Sequence, residues 1–494
     1  MIYPLLSTFW FIRQIKATLF WLYLWQLKEY HIGRFIDHFQ TEKGKHLLVN
    51  KLLILKTILL ITSRILPSPN SCVFILLSLY FFESIKGIFD FFRQQLKTPI
   101  FTKKIIFLAF IVFSFEVFYL FSFFQNKNMS FYLLIFDILT PAIVSGIVLC
   151  FQPVAVLARN KIIKKAQKKR EQFKNLLVIG ITGSYGKTST KEFLATILSE
   201  KFKVLKTKEH QNSEVGISQC ILNDLKPEHQ IFICEMGAYN RGGIKLLCDI
   251  TKPKIGILTG INEQHMATFG SQENIIKTKY ELIESLPADG IAFFNAKNRY
   301  CLELYQKTKI KKHLFGEAAK FFGEENLLGA IAVAKELGMS EEEISRAVEK
   351  IKDKMPGIQA KKGINGLNII DATYSANPDG VMAHLEYLKS WPGKKIIVMP
   401  CLIELGSASK EVHKRIGQKI GEVCDLAIIT TKDRLKEISE EAIKNGMKKE
   451  NILFLENPKE ILEKIKTFCK SEDVVLLESR VPSELKNLLW KLEK

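Results

Sequence analysis

The chain has 494 residues, length for about three domains of ordinary size. A hydrophobic share of 47% with 35 Phe excludes a mainly disordered chain. Lys and Arg number 71 against 51 Asp and Glu, a net charge of +20 that on its face points to nucleic acid. The distribution says otherwise. Residues 1–175 hold 23 basic and 8 acidic side chains and 24 of the Phe, whereas residues 176–494 hold 48 and 43. The excess charge therefore sits in a Phe-rich third, and two differently built regions share the chain.

A bilayer core needs about 20 apolar residues per helix. Stretches 47–65, 72–92, 105–124 and 131–157 fit, and 4–26 is a fifth, carrying Arg13 and Lys16. The sequence thus predicts four or five transmembrane helices over 1–158. No short apolar core followed by a cleavage site opens the chain, so a removable signal peptide is not expected. Residues 159–174 hold eight Lys or Arg against Glu171 alone, which marks a cytoplasmic linker by the positive-inside rule. Counting back, the Lys/Arg content of the loops alternates consistently and puts 175–494 in the cytoplasm. Glu116 and Asp137 are intramembrane acids without an assigned role.

From 175 onward, apolar β-rich runs alternate with helical patterns, as in a parallel sheet. Strands are predicted at 175–182, 231–236, 255–261 and 290–295, then at 366–371, 394–400, 426–431, 451–456 and 474–478. Helices are predicted at 187–200, 271–286, 326–337 and 341–351. A boundary falls at 355–363, giving units 175–355 and 356–494. The nine cysteines are scattered with no CxxC pair, so neither a zinc site nor a disulfide framework is indicated. With no RNA-binding motif and near-balanced charge beyond 175, no nucleic-acid partner is expected.

The strand ending at Ile181 runs into Thr182, Gly183, Ser184, Tyr185, Gly186, Lys187, Thr188 and Ser189, and then a helix. Backbone N–H groups of such a turn cradle phosphates, Lys187 neutralises the β/γ oxygens, and Thr188 or Ser189 binds Mg²⁺. The general pattern wants Gly at position 181, where Ile181 stands; the shorter Gly-x-x-Gly-Lys-Thr form holds.

This loop, read as Thr-Gly-Ser-x-Gly-Lys-Thr-Ser-Thr, resembles the ATP loop of the Mur ligase family. Other segments follow in that family's order: TKEHQNSEVG (207–216), Glu235 ending a strand, His265 in TGINEQHMATFGS, Lys279 in KTKYEL, Asn295 in FFNAKN and Asn326 before an Ala-rich helix. DATYSANPDG (371–380), IELGSASKEVH (403–413) and LLESR (476–480) are similar to the branch that adds D-alanyl-D-alanine. The resemblance covers 175–494. It implies a P-loop central domain and a Rossmann-like C-terminal domain behind the membrane region. It implies ATP bound by Thr182, Gly183, Ser184, Gly186, Lys187, Thr188, Ser189, Asn295 and Asp371. Two Mg²⁺ ions would be held by Thr188, Glu235, His265 and a carbamylated Lys279, with Lys187, Lys279 and His265 catalytic.

The implied reaction joins a carboxylate to an amine through an acyl phosphate, a task of positioning and electrostatics. The implied partners are ATP, a muramoyl-peptide precursor, D-alanyl-D-alanine and the lipid bilayer of the cytoplasmic membrane. The pattern departs at Ala372, Ile358 and Lys297, where the family has Asp, Arg and Asp. A membrane region stands where the family carries its UDP-sugar domain. Another ligase of the superfamily, or a membrane scaffold with a degenerate site, are the competing readings. Glu404 and His413 are read as structural.

Overall fold

Apolar periodicity sets the helices of the first region, and β-branched runs set the sheets of the second. The computed structural model describes residues 2–65, 69–124, 126, 128–208, 211–320, 323–352, 360–373 and 376–490, in two units, Met1–Ala158 and Arg159–Lys494.

The first unit is helical. Among the described residues, three segments are long and apolar enough to cross a membrane: Glu42–Ser63, Lys103–Phe123 and Met129–Glu171. They match three of the four expected stretches. The fourth forms the helix Pro69–Phe92, which carries Glu83, Lys86 and Asp90, and the stretch 4–26 forms Ile2–Leu27 with Arg13 and Lys16. These charges are paired inside the unit. Lys56 Nζ lies 2.6 Å from Glu83 and 2.7 Å from Asp137, Arg13 also pairs with both acids, and Lys16 lies 2.6 Å from Asp90. Tyr80 and Gln14 donate to Asp137 at 3.3 and 3.2 Å, and Thr18 donates to Glu116 at 2.6 Å. Meanwhile Phe110, Phe118 and Phe121 face outward, the last 75% exposed. Polar groups inside and Phe outside invert a soluble bundle and fit a lipid solvent.

The stretch 159–174, expected as a linker, is helical through Glu171, continuing Gln152–Glu171. Its Ile163 and Ala166 pack into the core of the second unit, and Arg170 donates to the carbonyls of Thr251, Phe173 and Leu176. Lys161, Lys164, Lys165 and Lys168 stay exposed.

The second unit holds two six-stranded sheets. The first contains β1 (Leu177–Thr182), β2 (Val204–Lys206), β3 (Ile231–Glu235), β4 (Ile255–Leu258), β5 (Ile291–Asn295) and β6 (Lys311–Phe315), in order β2-β3-β1-β4-β5-β6. All its pairings are parallel. The second contains β7 (Lys361–Lys362), β8 (Asn368–Ala372), β9 (Lys395–Met399), β10 (Leu426–Ile429), β11 (Ile452–Phe454) and β12 (Val474–Glu478), in order β11-β10-β9-β12-β8-β7, with only β7 antiparallel.

Strands β2, β6 and β7 escape the sequence reading. They are sheet edges, β2 and β7 are very short, and β6 is Lys-rich (KKHLF), so none shows an apolar run. The predicted helices form at Lys187–Leu198, Gln272–Glu284, Glu324–Glu336 and Glu341–Lys352. Ser271 caps the second of these, its hydroxyl accepting from the Asn274 amide at 3.2 Å. Part of the boundary read at 355–363, including Ile358, lies outside the described residues. The eight described cysteines are free.

In the first sheet, the chain leaves β1 for β2 on one side, and β4 lies on the other. Ligands of open parallel sheets bind at such a reversal, beyond the strands' carboxyl ends. The turn after β1 occupies that place.

Candidate active site

The turn is fixed by its own backbone. The Ser184 amide donates to Gly260 O at 2.7 Å, and the Asn262 amide donates to Ser184 Oγ at 3.2 Å. Thr182 Oγ1 donates to Met236 O at 2.9 Å, tying β1 to the chain after β3. Gly186 precedes the helix Lys187–Leu198 in a left-handed conformation, φ +78°, and a Cβ there would lie 2.3 Å from Asn326 Oδ1. Only glycine serves on both counts. Asn326 also accepts from Thr190 Oγ1 at 3.2 Å, so the Ala-rich helix buttresses the turn.

Lys187 Nζ lies over the turn, donating to the carbonyls of Gly183 and Ser184 at 2.8 and 3.3 Å. Thr188 is exposed, and its Oγ1 donates to Glu235 Oε2 at 3.0 Å. Glu235 closes β3 only 5% exposed. Its other oxygen accepts from Asn212 Nδ2 at 3.2 Å, and buried Lys191 Nζ stands 3.2 Å from Oε2. Burial pushes the carboxyl up, but Lys187, Lys191 and the Asn212 bond outweigh it and hold Glu235 below the usual carboxylate range.

Lys279 is 3% exposed on the helix Gln272–Glu284, its ammonium 5.7 Å from the Phe269 ring. Burial and the neighbouring charge of Lys187 bring it down to about 7. An amine that gives up its proton near neutrality can react with CO₂ to form a carbamate. His265 sits in a left-handed turn, φ +66°, with Tyr239 edge-on at 5.1 Å and Nδ1 2.6 Å from Glu404 of the C-terminal half. Burial lowers its pKa against the pull of Glu404, and Lys279 and Lys187 lower it further. Glu235, His265 and Lys279 thus each lie within electrostatic reach of Lys187.

A cavity of about 740 Å³ opens beside the turn. Tyr185, Asn295, Lys297, Asn298 and Glu325 line one wall, and Asp379, Met382, Glu386, Arg415 and Lys419 line the other. Two contacts pin the walls together: Asn262 Nδ2 to Asp379 at 3.1 Å and Arg415 to Glu263 at 2.7 Å. Asn295 lines the cavity with its amide spent on Thr259 O at 2.8 Å and its carbonyl on the Lys297 amide at 2.9 Å. Lys297, standing where Asp was expected, turns its ammonium to Ala319 O.

Asp371 lies elsewhere, at the end of β8, paired with Lys486 at 2.9 Å and bonded by Thr373. It is not part of the cavity lining. Ser189 is half-buried on the first turn of the loop's helix. His413 Nε2 accepts from the Leu402 amide at 2.9 Å, and its Nδ1 faces Ser409 O at 2.6 Å.

Among the described residues, no three His, Cys, Asp or Glu side chains gather into a ready-made metal cluster. Mg²⁺ needs none, since one or two carboxylates with phosphate oxygens and waters complete its shell. Glu235 beside Thr188 at the mouth of the phosphate turn fits that donor set.

The sequence reading missed Lys191 and Asn212 and took Glu404 as structural. Lys191 was findable, one helical turn after Lys187 on the same face. Asn212 lies within the segment 207–216. Glu404 lies in the segment 403–413, but its pairing with His265 has no local signal, because the two are 139 residues apart.

Comparison with known proteins identifies the family of the two sheets. Residues 181–356 match the Mur ligase middle domain, and residues 358–480 match the Mur ligase, glutamate ligase domain. The chain is 31% identical over 279 residues to UDP-N-acetylmuramoyl-tripeptide--D-alanyl-D-alanine ligase of Synechocystis sp., covering 51% of this chain and 60% of the relative. To the Bacillus subtilis protein of the same name it is 27% identical over 347 residues, covering 64% and 75%. The structure of MurF ligase from Thermotoga maritima in complex with ADP superposes with a TM-score of 0.56 at 26% identity, covering 67% of this chain and 84% of that one. The chain therefore spans about three-fifths of the first relative's length.

Proposed function

The chain belongs to the Mur ligase family, carrying its middle and C-terminal domains, and from that premise we propose that it is a membrane-anchored, ATP-dependent amide ligase of peptidoglycan precursor synthesis. It adds D-alanyl-D-alanine to a muramoyl-tripeptide, and the acceptor is lipid-linked. The observation that carries the reading is the contact of Thr188 with Glu235 at the mouth of the phosphate turn, with Lys187 in electrostatic reach of Glu235, Lys279 and His265.

The reaction runs in two displacements. An acceptor carboxylate oxygen attacks the γ-phosphorus of ATP, the bond to the bridging oxygen breaks, and ADP leaves. The amine nitrogen then attacks the acyl carbon, the C–O bond breaks, phosphate leaves, and the nitrogen loses a proton. Both steps move negative charge among phosphate oxygens, so fixed positive groups set the rate. Backbone amides of 185–188 at the helix N-terminus hold the phosphates, and Lys187 neutralises the transferred group. Glu235 and Thr188 would hold one Mg²⁺, and His265 with carbamylated Lys279 a second; bound there, the ions neutralise phosphate charge. Asn295 and Tyr185 wall the nucleotide's cavity.

The membrane part of the proposal draws on the three apolar helical segments, the outward Phe of Lys103–Phe123 and the exposed lysines at 161–168. A ligase tethered to the cytoplasmic face of the cytoplasmic membrane stands where a lipid-linked acceptor is presented. The test is phosphate release and amide product from full-length protein given UDP-linked or undecaprenyl-linked muramoyl-tripeptide with D-alanyl-D-alanine. Turnover of the lipid-linked form, abolished by Lys187→Ala, is expected. Turnover of the UDP-linked form alone refutes the lipid acceptor, and no turnover of either refutes the ligase reading.

A further inference from the structure

We infer that Glu404 is a positioning residue for His265, fixing the imidazole so that Nε2 is the nitrogen offered to a divalent cation. The inference rests on the proposed function, which makes His265 a metal ligand. Glu404 Oε2 stands 2.6 Å from His265 Nδ1, with the carboxylate side chain only 9% exposed. A carboxylate in that place accepts the Nδ1–H bond and leaves the lone pair on Nε2. Among the described residues, Nε2 makes no hydrogen bond of its own. Metal-binding histidines are commonly held this way, their second nitrogen donating to a carboxylate.

The contact is built, not incidental. His265 and Glu404 both occupy the left-handed region, at φ +66° and +64°, which non-glycine residues rarely adopt. The Ala267 amide donates to Glu404 O at 3.2 Å, so the two turns are joined through backbone as well as side chain. Gly406, at φ +51°, passes so close that a Cβ would lie 2.9 Å from the Ala267 nitrogen. Tyr239 covers the ring edge-on. The imidazole is thus held by its own domain through Tyr239 and by the other through Glu404. His265 lies before β5 and Glu404 after β9, so the histidine is oriented only when the two domains are docked. Docking of the C-terminal domain thereby completes the metal site of the middle domain.

The test uses full-length protein in detergent micelles with ADP, and Mn²⁺ as the probe. Mn²⁺ affinity is read by EPR titration, and the ¹⁴N coupling of a bound histidine by pulsed EPR. Wild type is expected to show a ¹⁴N coupling that His265→Ala removes. Glu404→Ala is expected to weaken Mn²⁺ binding by about 10- to 100-fold and to lose the coupling. Glu404→Gln keeps an acceptor for Nδ1–H and retains both. Should Glu404→Ala not fold, Glu404→Asp withdraws the carboxylate by one methylene and is expected to weaken Mn²⁺ by about tenfold. Wild-type affinity and coupling in Glu404→Ala, or in Glu404→Asp where that variant replaces it, overturn the inference and leave the ligase reading standing. A wild type whose Mn²⁺ signal does not respond to His265→Ala overturns the metal role of His265, and this inference with it.

Discussion

Lys191→Met tests the electrostatics of the site most directly. Lys191 Nζ is fully buried and stands 3.2 Å from Glu235 Oε2. Unit charges at that separation in an effective dielectric of about 20 attract by about 5 kcal/mol. Methionine keeps the volume and removes the charge, leaving Glu235 as a buried anion short of one cation. Removing one partner of a buried pair costs about 3–5 kcal/mol. The Thr188 and Asn212 bonds and the field of Lys187 remain, so the lower end of that range is expected. In the double variant with Glu235→Gln the orphaned anion is gone as well, and a coupling of at least about 2 kcal/mol should return. The assay is pulse proteolysis of the detergent-solubilised full chain across a urea series, following loss of the 175–494 fragment. A coupling within about 0.5 kcal/mol of zero would refute the claim that Lys191 is the fixed counter-charge of Glu235.

Gly186→Ala places a Cβ 2.3 Å from Asn326 Oδ1 at φ +78°, and should cost about 1–2 kcal/mol for the backbone alone and raise the KM for ATP about tenfold; an unchanged KM in steady-state phosphate release counts against the turn as phosphate cradle. The Lys279 amine gives up its proton near about 7 and carbamate forms only on the neutral amine, so ¹³CO₂ label on this residue should rise between about pH 6 and about pH 8. A ¹³C NMR carbamate signal that survives Lys279→Ala would assign the label elsewhere. In the helical unit, Asp137→Leu leaves Lys56 and Arg13 with Glu83 alone and should destabilise by about 3 kcal/mol, read as a lower melting temperature in detergent; an unchanged melting temperature would mean the cluster holds nothing together.

The architecture was legible where it is written locally. Apolar length gave the helical unit, and three of its four expected spans hold up as segments able to cross a membrane. The phosphate turn could be read because glycine, lysine and threonine spacing encodes a backbone shape directly. What failed were edge strands β2, β6 and β7, whose pairing comes from a neighbour and not from their own composition. The fourth expected stretch forms the helix Pro69–Phe92, and the pairing of its Glu83 and Asp90 with Lys56, Arg13 and Lys16 is a property of the bundle.

The amino-acid order by itself thus determined the two-part chain, the phosphate turn with Lys187 and Thr188, and the identity of Glu235, His265 and Lys279 as groups worth asking about. The two-part chain and the turn follow from short-range periodicity and turn chemistry; Glu235, His265 and Lys279 are picked out by the resemblance of their segments to the Mur ligase family. Tertiary structure alone decided their state: Glu235 ionised between two lysines, Lys279 pushed toward neutrality by burial beside Lys187, and Asp371 set apart with Lys486. It also decided that His265 is oriented by Glu404, from another domain. Charge state and orientation depend on what the fold brings within a few ångströms, and residues 139 apart become neighbours only once both sheets are in place.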